Sequence, residues 1–272
     1  MTAISLIITS RCTAHATDSF ITRPGANGVE VLETQETKIV RVEAFRGAIS
    51  YWGWATTPED GSKWHTLRWL REKAQRAGSF GSPLAFAQSV AQDLSIAARK
   101  FRFEPPSSGG LGIHFTAYEQ VDGNDVPELF LIANYVDDSY RTIRPEGFRA
   151  ARQTFAILPE ASDPSIDHGS REARLLVLNA LRNGMLYVFN NGDPLIFNPV
   201  ANAMFATIST LQSRGQFRGA DIDSQRALAR QPIEVVTKLL TSFSRPEARV
   251  VGGKPHDLAV TPDGQYSSST GD

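Results

Sequence analysis

The chain has 272 residues, enough for one large domain or two small ones, and its 41 % hydrophobic and 21 % charged residues fit a folded globular protein. A formal net charge of −1 gives no field that would gather nucleic acid or an anionic membrane surface, and one cysteine, Cys12, allows neither an intrachain disulfide nor a cysteine-based zinc site. No run approaches the roughly 18 apolar residues of a membrane span, and the opening Met-Thr-Ala-Ile-Ser-Leu-Ile-Ile lacks the basic leader of a secretory signal, so a cytoplasmic protein is expected.

The first sixty residues read as strands. Ala3–Thr9 and Cys12–Asp18 are β-branched or alternating runs separated only by Ser10-Arg11, which leaves room for a tight turn. Residues 23–36 hold Pro24, Gly25, Asn27, Gly28 and three glutamates, the composition of an exposed loop. Strands resume at Thr37–Val42 and Ala48–Trp54, with Phe45-Arg46-Gly47 turning between them.

Two helices follow. Trp64, Leu67, Leu70 and Ala74 mark one apolar face between Ser62 and Ala77, and Ser82-Pro83 supplies the N-cap and first position of a second helix with Phe86, Val90, Leu94 and Phe101 on its stripe. Strands return at Leu111–Glu119 and Glu128–Tyr135 around a Val-Asp-Gly-Asn-Asp turn, with a third extended segment near Ala151–Leu158. Arg171–Val188 reads as a helix apolar nearly all round. Asn190–Ala220 is less regular, with a helix around Val200–Gln212; the last helix, about Ile233–Phe243, has Pro232 at its first position. His256–Val260 is a closing strand and Gln265–Asp272 a frayed polar tail. Helices on the outer faces of two stacked sheets would account for this order, which makes the expected fold α+β, a four-layer αββα sandwich. One domain is expected over residues 1–264, with an extra segment about 184–220 and a flexible tail at 265–272.

Five residues sit in an informative order: Thr2 behind the initiator Met, Asp18 at the end of the second strand, Thr22, Lys38 opening the run Lys38-Ile39-Val40, and Gly53 in Ser50-Tyr51-Trp52-Gly53. In this the chain resembles the β subunits of the proteasome and their simpler bacterial relatives, which are N-terminal-nucleophile (Ntn) hydrolases. The resemblance is best over the first 135 or so residues. It implies that Thr2, with its α-amine exposed by loss of Met1, is the nucleophile, that Asp18 and Lys38 complete the catalytic set, that Thr22 holds the substrate strand, and that the backbone N–H of Gly53 meets the oxyanion. The interval from Asp18 to Lys38 exceeds the usual one by a few residues, so the acidic loop reads as a small insertion.

These residue types suit that chemistry. A threonine hydroxyl is a weak nucleophile until a base takes its proton. A terminal α-amine, with a reference pKa of ~7.7–8.0, matches the task better than a lysine near ~10.4. The lysine then serves as a charge beside the hydroxyl, oriented by the aspartate. A backbone N–H aimed at the oxyanion is typically worth about 3 kcal/mol.

Toward the C-terminus, Val250-Val251-Gly252-Gly253-Lys254-Pro255-His256 resembles the family's Gly-Gly turn into its last strand. Where the family places a supporting aspartate and serine, this chain has Ala248, beside Glu247, and Val251. The five histidines (His15, His65, His114, His168, His256) are scattered, so no metal or other cofactor is expected, and Cys12 reads as a small buried thiol. The aromatic group Tyr51, Trp52, Trp54, Trp64 and Trp69 reads as sheet–helix packing, with a substrate groove as the alternative.

The function expected is an N-terminal threonine peptidase acting on peptides or unfolded protein. A non-peptidase Ntn amidohydrolase on a small amide and an inactive assembly subunit are the alternatives, because fold does not fix substrate. The resemblance, with apolar helix faces at 62–77 and 82–103, also implies a homo-oligomer, a ring or lock-washer of six or more copies. An ATPase partner belongs to that family picture, though no residue here argues for one; neither nucleic acid nor membrane is an expected partner.

Overall fold

The computed structural model describes residues 3–25, 28–33, 37–53, 64–101, 111–134, 147–153, 167, 169–192, 195–217, 221–245, 249 and 251–268, with the backbone alone for 21–25 and 28–33. The residue contacts gather into two compact units: Met1–Ile39 with Leu186–Thr261 and Gln265–Asp272, and Val40–Met185 with Pro262–Gly264.

The first unit is built on an antiparallel sheet of β1 (Ile4–Ile8), β2 (Thr13–Thr17), β10 (Tyr187–Asn191), β11 (His256–Val260) and β12 (Tyr266–Ser268), in the order β10-β1-β2-β11-β12. Ser10-Arg11 turns β1 into β2 as the spacing predicts, with the Thr9 N–H donating to the Cys12 carbonyl at 3.0 Å. Alternation along the strands sends Ala3, Ile7, Ala14, Ala16 and Ala259 to one face, where α4 (Phe197–Ser213) and α5 (Ile222–Phe243) pack with Phe197, Phe205, Ile233 and Val236. The small strand residues leave room for the large helix residues, which are buried against them. The same unit carries a two-stranded hairpin, β3 (Ile21–Gly25) with β4 (Gly28–Glu33).

The second unit is built on β5 (Ile39–Val42), β6 (Gly47–Trp52), β7 (Gly112–Val121), β8 (Asn124–Ala133) and β9 (Arg149–Arg152), paired in that sequence. Asp122 and Gly123, at φ 51° and 73°, form the two-residue turn between β7 and β8. Register sets Ile49, Phe115 and Phe130 in one row and Tyr51, Ile113 and Ile132 in the next. Both rows pack beneath α1 (Thr66–Gln75) and α2 (Pro83–Lys100), where the Phe86 ring stands edge-on to Phe115 at 5.2 Å. Trp64 and Trp69 pack on each other at 5.1 Å beside this core, as the packing reading of the aromatic group expects. Ser82 caps α2 by accepting from the Ala85 N–H, with Pro83 in the first turn. On the same face, α3 (Arg171–Arg182) is held through Arg174, which donates to Glu119 at 2.8 Å and to Glu128. Burial pushes the Glu128 carboxyl above its ordinary range, against the pull of Arg152 and Arg174. The chain is thus α+β, and its two helix-on-sheet pairs are the parts from which a four-layer αββα sandwich is made.

Several expectations need correction. Within residues 23–36, where composition suggests a loop, Arg23–Gly25 pair with Gly28–Glu30 as the β3–β4 hairpin, and Val29 and Val31 lie on β4. The helix expected over Arg171–Val188 stops at Arg182. Gly184, at φ 90°, donates to the Leu181 carbonyl, and Met185 to that of Ala180, a Schellman closure that frees the chain to form β10. That helix buries one face only, with Leu176 turned out to solvent. The last helix begins at Ile222, because Asp221 caps it by accepting from the Ser224 N–H at 2.7 Å, and Pro232 lies inside it. A proline there costs about 3 kcal/mol in isolation, and the burial of Ile233, Val236 and Leu240 offsets that cost. Tyr266–Ser268, in the expected tail, pairs with β11 as a strand. The described apolar faces of α1 and α2 are packed in the chain's own core; among the described residues, Val235, Leu239 and Phe243 form an exposed apolar row on α5. No described helix is long and apolar enough to cross a membrane.

His15 makes the fold sensitive to acid. It is fully buried on β2, between Leu6 and Leu258 in register, and burial pushes its imidazole down from 6.5 to about 3. The unfolded chain therefore takes up a proton that the folded chain refuses between these values, so stability rises with pH across that window and is complete above it. Acidification from pH 7 to 5 is expected to cost about 2 kcal/mol through this group. Urea unfolding of the wild type and of His15→Gln checks this: the variant should lose that part of the slope, and identical pH dependence would contradict it.

A buried aspartate–lysine pair at the chain's first strand

Asp18 stands one residue beyond β2, still in ladder register with the start of the chain. Its backbone N–H donates to the Ala3 carbonyl at 3.1 Å, and the Ala3 N–H returns a bond to Asp18 Oδ1 at 3.0 Å. The same Oδ1 accepts from Lys38 Nζ at 2.8 Å, while Oδ2 takes a long bond of 3.4 Å from the Gly252 N–H. Lys38, just before β5, also donates to the Phe20 carbonyl at 2.6 Å. One buried carboxylate thus gathers three chain segments: the first strand, the residues before β5 and the turn before β11.

The pair is closed off from water, with side-chain exposures of 2 % for Lys38 and 0 % for Asp18. Taking both charges out of solvent is expensive, and attraction plus added hydrogen bonds repay it only when the geometry is good. Here the carboxylate meets three donors and the ammonium at least two acceptors. What results is a positive charge fixed in a dry setting, able to stabilise a hydroxyl oxygen as it turns negative.

Of the five residues singled out from sequence, the structure joins Asp18 and Lys38 directly. Thr2 lies outside the described residues, though its neighbour Ala3 is anchored on Asp18. Thr22 is placed by its backbone on β3, paired with Val31. Gly53 follows β6 in the second unit, exposed and at φ 94°, a left-handed conformation that favours glycine. Val251 is 1 % exposed and packs in the α4–α5 core; Glu247 and Ala248 lie outside the described residues.

Sequence reading missed the Phe20 carbonyl and the Gly252 N–H. Backbone groups carry no residue-type signature, and Gly252-Gly253 announces only a turn. Cys12 points into the helix-side core and donates to Gln225 Oε1 at 2.7 Å, and burial pushes its thiol up to about 12, so it holds no thiolate at neutral pH.

No protein-family profile matches this sequence, and no curated protein does. Among solved structures, the chain is similar to Thiobacillus denitrificans BPH in complex with Epoxomicin, at 12 % identity and a TM-score of 0.46, over 96 % of this chain and 98 % of that one. It is similar to Thiobacillus denitrificans BPH also at 14 % identity, a TM-score of 0.44 and the same coverage.

Removing one partner of a buried pair strands the other charge. Lys38→Ala leaves the Asp18 carboxylate without its cation and is expected to lower stability by about 3–5 kcal/mol. Lys38→Met paired with Asp18→Leu, which removes both charges, should recover part of that loss. Chemical denaturation measures both, and a Lys38→Ala protein as stable as wild type would show the pair to be hydrated and weak.

Proposed function

We propose that this chain is an N-terminal threonine hydrolase of amide bonds, acting as a self-compartmentalising peptidase with Thr2 as its nucleophile after loss of Met1. The observation that carries the reading is the buried Asp18–Lys38 pair, whose carboxylate also binds the N–H of Ala3, the residue after Thr2. A buried ion pair is weak as a stability device, because apolar side chains of similar volume serve as well. Its cost is better explained by chemistry at the adjoining residue.

In this reading the Thr2 α-amine takes the hydroxyl proton as Oγ adds to the substrate carbonyl. The Lys38 ammonium stabilises the developing alkoxide, and Asp18 and the Phe20 carbonyl hold that ammonium in place. By the family resemblance, the β3 backbone around Thr22 aligns the substrate. The tetrahedral adduct collapses to an ester on Thr2, the α-ammonium gives its proton to the leaving amine, and water then hydrolyses the ester.

A peptide α′,β′-epoxyketone tests this, because it needs a hydroxyl and an amine on one residue to complete its two-point addition. Intact-mass spectrometry should find chains beginning at Thr2 that gain one full probe mass, with none gained by Thr2→Ala. Full peptide turnover by protein whose every chain keeps Met1 would overturn the reading.

Assembly is part of the same proposal. A peptidase of this class restricts access by enclosing its sites, so a homo-oligomeric ring or lock-washer is expected in solution. Light scattering at micromolar concentration should give a mass several times 29.8 kDa; a single-chain mass would remove the self-compartmentalising part of the proposal.

A further inference from the structure

The turn before β11 touches the Asp18–Phe20 segment three times. The Gly252 N–H donates to Asp18 Oδ2 at 3.4 Å, and the Gly252 carbonyl accepts from the Ser19 N–H at 3.2 Å. The third contact is steric: a Cβ built on Gly252 would stand 2.4 Å from Cε2 of Phe20 and 2.7 Å from its Cζ. Gly252 is not at positive φ, so its backbone conformation suits alanine as well as glycine. The three atoms nearest that Cβ all belong to the Phe20 ring. Phe20 is also the residue whose carbonyl binds Lys38 Nζ, at 2.6 Å.

We infer that Gly252 is a positioning residue of the Thr2 site, its bare Cα seating the Phe20 ring so that the Asp18 carboxylate and the Phe20 carbonyl converge on Lys38. This rests on the reading of Thr2 as nucleophile. With Val251 beside it buried in the apolar core, support comes from the turn's backbone and from ring-on-glycine packing. A side chain at 252 pushes the ring away, turns the Phe20 carbonyl from Lys38 and frees the ammonium from its fixed place. The ground-state fit of substrate is untouched, so the effect belongs in kcat and not in KM.

Gly252→Ala tests this against Gly252→Ala/Phe20→Ala, in which the ring that collides is gone. Gly252→Ala is expected to lower kcat at least about tenfold with KM within about threefold, as misplacement of a catalytic charge by fractions of an ångström does. Its crystal structure should show the Lys38 Nζ to Phe20 carbonyl separation beyond hydrogen-bonding reach. The double variant should recover both the short separation and most of kcat relative to Phe20→Ala alone. A Gly252→Ala protein with the wild-type separation and kcat, or a double variant that recovers neither, would overturn the inference. Should the wild type turn over no peptide at all, the threonine-hydrolase reading fails, and the separations in the variant structures still decide whether Gly252 positions Lys38.

Discussion

A carboxylate that is fully buried must find its donors inside the protein, and Asp18 imposes that demand on the first unit of this chain. It takes one donor from the backbone of the first strand, one from the ammonium of Lys38 and one from the turn before β11. None of these can be lost cheaply, because a buried charge short of partners costs several kcal/mol. The register of β1 on β2, the approach of Lys38 ahead of β5 and the close contact of Gly252 with Phe20 are all tied to it.

The surrounding architecture serves this demand with apolar packing. Ala14 and Ala16 on β2 and Ala259 on β11 keep the strand surface shallow, so α4 and α5 pack closely on this sheet. Asp257 on β11 is buried too, yet it is satisfied differently, by Arg226 and Arg230 on α5. Those guanidiniums are long and partly exposed, so the network reads as a helix-to-sheet tie. Lys38 by contrast is buried almost to its tip, and it faces a carboxylate bonded to the residue after Thr2.

Much of this was legible in the sequence, for physical reasons. Strands with a buried face alternate, and helices over a core repeat every three to four residues, so β1, β2, β11, α1 and α2 were each found within a few residues. The resemblance that carried Asp18 and Lys38 into one site foretold their meeting. The failures were equally physical. A proline strongly suggests a helix start, yet the Asp221 cap and the apolar row through Leu240 carried α5 past Pro232. Val188 continued the apolar pattern of α3 and could not reveal that Gly184 ends the helix and returns the chain as an edge strand. The backbone contacts at Phe20 and Gly252 needed coordinates, because every residue offers the same N–H and C=O.

At the centre of this account is the claim that a covalent acyl intermediate forms on Thr2 beside the Lys38 charge. It is tested most directly by quenching the protein in acid during turnover of a slow peptide substrate and digesting it with trypsin. The substrate's acyl group is expected on the fragment from Thr2 to Arg11, with its amount rising and falling on the time scale of turnover. Hydrolysis that proceeds with no acyl group on that fragment, or with one on any other, would contradict it.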